Sequence, residues 1–136
     1  MLEKKFRNRN STEKKERFGI IDAMNWNKLE KVEDLDQVST LSEEKPVILF
    51  KHSTRCSISA ATLNRLERNW DDNEMKNSEI FYLDLIRYRD VSNKIAEKYG
   101  VPHQSPQVLV IKDGETIHDA SHFGIDYQSL NKVVNG

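Results

Sequence analysis

The sequence predicts an α/β domain in which a mixed central β-sheet carries helices on both faces. The run Val47-Ile48-Leu49-Phe50 is apolar throughout, which is typical of a strand buried on both of its sides. Helix-like segments follow each of the early strand-like segments, which is the pattern of α/β proteins. Near the end, Asp113-Gly114 predicts a two-residue hairpin, so the last two strands are expected to be antiparallel.

The predicted order of elements is β-α-β-α-β-α-β-β-α. Apolar residues recur every three or four positions in the helical segments, and Gly100 is the expected residue just beyond the end of the third helix. Asp126 is a plausible N-cap of the last helix. Residues 51–55 are read as a polar segment after the second strand. The helices are predicted over residues 32–41, 57–70, 90–99 and 124–134, and the strands over residues 24–29, 47–50, 80–83, 107–111 and 115–120.

Length and charge narrow the class of protein. The chain has 136 residues, enough for one domain with its own core, and its formal net charge is −1. Residues 1–17 hold seven basic and three acidic residues, a net of +4, which leaves −5 for residues 18–136. We therefore expect a flexible basic arm over residues 1–23 and a globular domain over residues 24–136, and an acidic body that does not bind nucleic acid.

The expected location is the cytoplasm. No apolar run approaches the roughly 20 residues that span a bilayer, so no membrane partner is expected. The N-terminus also lacks the apolar stretch of a secretory signal. The chain has a single cysteine, which fits a compartment where disulfides are rare.

Cys56 is the candidate catalytic residue. It lies where a buried strand gives way to a helix, and the unpaired N–H groups and dipole of a helix N-terminus favour a thiolate. Arg55 adds positive charge beside it. A lone cysteine can also be a small buried hydrophobe, but the neighbours of Cys56 are mostly serine, threonine and arginine. The thiolate is the species that attacks a disulfide sulfur.

The four histidines form no zinc-binding pattern with this one cysteine, so no metal site is expected. His52 and His122 are the two that could lie near Cys56. A histidine is more often a half-buried surface residue than a base, and both interpretations stay open for these two.

Cys56-Ser57-Ile58-Ser59 resembles the C-x-x-C motif of thioredoxins, with Ser59 in the place of the second cysteine. Residues 82–84, 95–101, 105–106 and 108–114 follow in thioredoxin order. The stretch from Phe50 to Ser59 is more specifically similar to the YtxJ-type family, thioredoxin-like proteins of the bacillithiol system that are also called monothiol bacilliredoxins. Residues 83–89, 105–108 and 120–122 show the same similarity, which extends over residues 26–134.

The chain departs from these families at two positions. The YtxJ-type family usually has proline directly after the cysteine, where this chain has Ser57. Losing proline at the first helical position removes some rigidity, but Ser57 brings an N–H group and a hydroxyl that could bind a thiolate. Thioredoxins proper have a buried aspartate six residues before the cysteine, and Phe50 occupies that position here.

The resemblance implies a thioredoxin-like fold in which Pro106 follows a cis peptide bond and faces Cys56. It implies that the main chain of Ser105 binds the substrate, and that Ser57, Ser59 and Pro106 support the site together with Arg55. Bacillithiol carries a malate group, so Arg55 and the N–H groups from Gly124 to Asp126 are candidate anion binders. The carboxylate of Asp126 weakens that second candidate because it would repel an anion.

The implied function is the removal of bacillithiol from bacillithiolated client proteins by Cys56, with no tightly bound cofactor and with bacillithiol as co-substrate. Because no second cysteine is present, another low-molecular-weight thiol must restore Cys56. Two alternatives remain at this stage: a carrier of an iron–sulfur cluster held between two subunits, as in monothiol glutaredoxins, and a non-catalytic adaptor with the same fold.

Overall fold

A computed structural model describes residues 26–136 of the chain. The predicted basic arm over residues 1–23 lies outside the described residues, and so do the first two residues of the predicted first strand. The five strands form one sheet in the order β1-β3-β2-β4-β5. Their bounds are β1 Asn27–Lys28, β2 Val47–His52, β3 Glu79–Asp84, β4 Gln107–Lys112 and β5 Glu115–Ser121.

The sheet is mixed, as predicted. Strands β1, β3 and β2 are parallel, whereas β4 pairs antiparallel with both β2 and β5. The β4–β5 turn places Asp113 at φ 55° and Gly114 at φ 77°, two positive values that a tight hairpin turn requires.

Over residues 26–136, four α-helices alternate with the strands in the predicted order, and a short 3-10 turn precedes the last of them. The first helix begins two residues later than predicted, because Glu30 and Lys31 donate backbone hydrogen bonds to the Asp34 carboxylate in a turn that precedes it. Gly100 ends the third helix at φ 69°, as its sequence position predicts. The helices are α1 Asp34–Leu41, α2 Ser57–Asn69, α3 Arg89–Tyr99 and α4 Tyr127–Asn135, and the 3-10 turn is His122–Gly124.

Two apolar clusters cover the two faces of the sheet. Val47 and Leu49 of β2 pack with side chains of α1 and α3, whereas Ile48 and Phe50 pack with side chains of α2 and α4. This alternation is what a strand buried on both sides requires. Phe50 is fully buried under α2, so the position of the thioredoxin aspartate belongs to the apolar core.

The ends of β2, β3 and β5 and the beginning of β4 lie together at one edge of the sheet. Strands β2 and β3 end together, with His52 opposite Asp84. Strand β4 begins beside them, with Gln107 opposite Lys51, and β5 ends with Ser121 opposite Gln107. The loop that contains Cys56 leaves β2 at this edge. Within residues 26–136, none of the helices has the length and apolar character needed to cross a membrane.

Candidate active site

Cys56 occupies the N-cap position of α2, the site that the sequence predicted. Its backbone N–H donates to the Ser53 carbonyl at 3.2 Å, and its carbonyl accepts the first helical hydrogen bond, from Ala60, at 3.0 Å. The side chain is half-buried and its thiol is free. Ser57, the first helical residue, is exposed. The side chain of Cys56 makes no capping hydrogen bond, and the first N–H groups of α2, which have no partner within the helix, point toward this end.

Ser59 anchors the loop that carries Cys56. Its side chain is fully buried, and its hydroxyl accepts a hydrogen bond from the Ser53 N–H at 3.0 Å. The same oxygen lies 2.7 Å from Nδ1 of His52. The residue in the place of a second cysteine therefore ties the end of β2 to the first turn of α2.

His52 reaches the site through Ser59. The ring is only 6% exposed and stacks against Phe50, with Tyr82 on a tilted contact nearby. Burial lowers the pKa of His52, and the charge of Asp84 opposes this in part. When the imidazole is neutral, its Nδ1 can accept a hydrogen bond from the Ser59 hydroxyl, and the Ser59 oxygen in turn accepts one from the Ser53 N–H.

Pro106 and Ser105 lie beside the end of β2. The Ser105–Pro106 peptide bond is cis, as predicted from the resemblance, and Pro106 is buried one residue before Gln107 pairs with Lys51. The Ser105 hydroxyl is buried and has no hydrogen-bond partner within the described part of the chain. Ser105 therefore lies at the edge of the sheet from which the cysteine loop leaves β2, two residues before the pair formed by Gln107 and Lys51.

The segment around Gly124 differs from the prediction. Gly124 does not open the last helix: it ends the 3-10 turn, and α4 begins only at Tyr127. The N–H of Ile125 already donates to the His122 carbonyl at 3.3 Å, so the predicted row of open N–H groups from Gly124 to Asp126 is interrupted. The prediction missed that Gly124 belongs to a separate turn, which begins at His122.

Asp126 caps α4, as predicted. Its carboxylate accepts hydrogen bonds from the N–H groups of Gln128 and Ser129. The Ser129 hydroxyl also donates to it, and this bond is the main cause that lowers the pKa of Asp126. The group stays ionised at neutral pH, so its charge disfavours an anion at Gly124.

His122 holds an uncommon backbone conformation at this edge. Its φ is 54°, a left-handed value that costs a residue with a Cβ roughly 1–2 kcal/mol. Its N–H donates to the Pro106 carbonyl at 3.1 Å, and the turn packs against α2. The second predicted histidine therefore adjoins the cis-proline through its backbone.

Arg55 is exposed in the loop directly before Cys56. Its backbone N–H lies 3.4 Å from the Ser53 hydroxyl oxygen, and within residues 26–136 its guanidinium makes no ion pair. A charged group so placed is available to an anionic ligand of the cysteine.

Lys51 lies in strand β2 and not in the polar segment that was predicted to follow it. The predicted polar segment begins inside β2, and Lys51 is fully buried there, with no hydrogen-bond partner for its amine among the described residues. Burial lowers the pKa of Lys51 from 10.5 to about 8. Lys51 directly follows the apolar run of residues 47–50, and nothing beside it in the sequence indicates that the strand continues to His52.

Within the described residues, no group of three or more potential ligands could hold a metal ion.

Comparison with known proteins agrees with this geometry. The profile of the family described as monothiol bacilliredoxin BrxC matches residues 27–130. A solved structure described as having a thioredoxin fold is 30% identical, with a TM-score of 0.65, over 78% of this chain and 90% of that chain.

Two thioredoxins share the fold at lower identity. The Fasciola hepatica protein is 18% identical with a TM-score of 0.60, over 79% of this chain and 95% of its own. The Malassezia sympodialis protein is 15% identical with a TM-score of 0.63, over 80% of this chain and 87% of its own. The family match and the fold together support a thiol oxidoreductase.

Proposed function

The chain belongs to the monothiol bacilliredoxin family, and we propose that it removes bacillithiol from S-bacillithiolated proteins through Cys56. One observation carries the proposal. The only cysteine of the chain is half-exposed at the N-cap of a 13-residue helix, in the loop that leaves the buried strand β2.

The proposed cycle has two thiol–disulfide exchanges. The Cys56 thiolate attacks the bacillithiol sulfur of the client's mixed disulfide, the client leaves as a thiolate, and a Cys56–bacillithiol disulfide forms. A second bacillithiol thiolate then attacks that disulfide, which releases bacillithiol disulfide and restores the Cys56 thiolate. Each exchange breaks one disulfide bond and forms another, so the mixed disulfide of the client ends as bacillithiol disulfide and no bound cofactor takes part.

The monothiol character supports the second exchange. Ser59 stands where a resolving sulfur would stand, and its hydroxyl is held by His52 and Ser53. Because an alcohol does not attack a disulfide at neutral pH, the bound bacillithiol must wait for a thiol from solution. We place this exchange in the cytoplasm, where a reduced thiol pool is present.

We assign bacillithiol binding to Arg55 and Ser105. The exposed guanidinium of Arg55 suits the carboxylates of the malate group. Ser105 lies two residues before Gln107, which pairs with Lys51 near the end of β2 from which the cysteine loop leaves. Pro106 fixes the course of that segment. Gly124 is a weaker candidate than it was from the sequence, because the carboxylate of Asp126 stays ionised two residues away.

The experiment follows bacillithiol from a modified client to Cys56 by mass spectrometry. We expect the wild-type protein to gain one bacillithiol adduct on Cys56 for each client reduced, and free bacillithiol to remove that adduct. Cys56→Ser should abolish transfer, whereas Ile117→Ser, a change at an exposed position on β5, should retain it. Transfer by Cys56→Ser at the wild-type rate, or reduced client without any adduct, would refute the cycle.

A further inference from the structure

Exposed apolar side chains are not spread evenly over the described part of the chain. Its exposed large hydrophobic residues are Ile58, 39% exposed, Ile117, 51% exposed, and Phe123, 76% exposed. Ile58 lies two residues after Cys56, and Phe123 lies on the 3-10 turn that packs against α2. Ile58 therefore adjoins Cys56 in the chain, and Phe123 lies at the same edge of the sheet, next to His122, whose N–H donates to the Pro106 carbonyl.

The turn that carries Phe123 is fixed at three points. The preceding His122 adopts its left-handed backbone and donates to the Pro106 carbonyl at 3.1 Å. The His122 carbonyl accepts from Ile125, and the guanidinium of Arg65 on α2 donates to the Ile125 carbonyl at 2.7 Å. Residues held in sparsely populated conformations cluster at ligand contacts. Phe123 is thus presented to solvent by a rigid turn.

We propose that Phe123 is a specificity-determining residue that contacts an apolar side chain of the client next to its modified cysteine. This inference rests on the proposed function. Thiol exchange proceeds through a nearly linear row of three sulfurs, so the client's sulfur lies one S–S bond, about 2 Å, beyond the sulfur that Cys56 attacks. The client's polypeptide then lies against the surface that surrounds Cys56, and aromatic side chains are favoured anchors at such contacts.

The same geometry favours a client segment over other occupants. A second copy of this chain on Phe123 and Ile58 would cover Cys56 and prevent exchange. A client segment covers the same side chains only while its sulfur is joined to the site. A small disulfide such as bacillithiol disulfide has no side chain to reach Phe123.

The test compares three bacillithiol mixed disulfides. Two are decapeptides that differ only in the residue after the modified cysteine, leucine or serine, and the third is formed with N-acetylcysteine amide. We expect wild-type protein to act on the leucine peptide about tenfold faster than on the serine peptide, the effect of one buried aromatic contact. Phe123→Ser should remove this preference and leave the rate on the small disulfide unchanged, and Phe123→Leu should retain most of the preference.

Ile117→Ser is the matched control. Ile117 is also exposed, but it lies on β5 four residues before Ser121. This is about 13 Å along the strand from the edge of the sheet at which the cysteine loop leaves β2. This variant should keep the wild-type preference. An equal preference in wild type and Phe123→Ser, or the same loss in Ile117→Ser, would overturn the inference and leave the chemistry in place. If wild-type protein also fails on the small disulfide, the proposed function itself is wrong, and this inference with it.

Discussion

Replacing Lys51 by methionine measures how much the buried amine near the end of β2 lowers the free energy of unfolding. The amine of Lys51 is fully buried, and within the described residues no hydrogen-bond acceptor reaches it. Methionine has a similar length and no charge, and its neighbours on the same face, Leu49 and Leu83, belong to the apolar cluster under α1 and α3. The substitution therefore removes the charge with little change in packing.

The magnitude follows from the pKa of Lys51. Burial lowers it from 10.5 to about 8, so the unfolded chain binds a proton that the folded chain releases between these two values. The penalty on folding is complete below pH 8 and declines as the pH rises toward 10.5. It amounts to about 3 kcal/mol at pH 7 and about 1.4 kcal/mol at pH 9.5.

The assay is urea unfolding of wild type and Lys51→Met at both pH values. We expect the variant to be more stable by up to about 3 kcal/mol at pH 7, with an advantage that shrinks by about half at pH 9.5. Lys76→Met, a substitution at an exposed lysine, should show neither effect. A Lys51→Met protein that is no more stable than wild type at pH 7, with a parallel pH dependence, would refute the reasoning.

Two further substitutions test the scaffold around Cys56. Ser59→Ala leaves the buried Ser53 N–H and His52 Nδ1 without a partner. It should therefore lower the free energy of unfolding by about 1–3 kcal/mol and speed hydrogen exchange at the Ser53 amide. Ser57→Ala should have neither effect. His122→Val places a β-branched residue at φ 54°, so it should lower the free energy of unfolding, measured by thermal denaturation, by about 1–2 kcal/mol. His122→Asn should be tolerated. Equal stability of the two variants would contradict the strain assigned to this position.

Local signals in the sequence were enough to predict the mixed sheet, the end of α3, the cap of α4 and the position of the thiol. Gly100, the Asp113-Gly114 turn and the cap at Asp126 each act through residues within one turn of themselves, and the structure confirms all three. Cys56 could be placed because a strand ends and a helix begins around it.

The remaining features depend on residues far apart in the chain. Lys51 is buried because β3 and β4 flank it, and nothing beside it in the sequence shows this. The partners of Ser59 come from the end of β2, and the 3-10 turn depends on a bond from His122 to Pro106, 16 residues earlier. Interactions of this kind have no local sequence pattern, which is why Gly124 was assigned to the wrong element.

The anchoring role of Ser59 also bears on how this lineage can evolve. A two-cysteine descendant would need only one amino-acid substitution, serine to cysteine at position 59. Sulfur, however, accepts hydrogen bonds only weakly, and a cysteine at position 59 would leave the Ser53 amide poorly satisfied in a buried site. Such a descendant would need a compensating change around Ser53 before its new thiol became an advantage. Selection on loop geometry alone can thus preserve a one-cysteine active site.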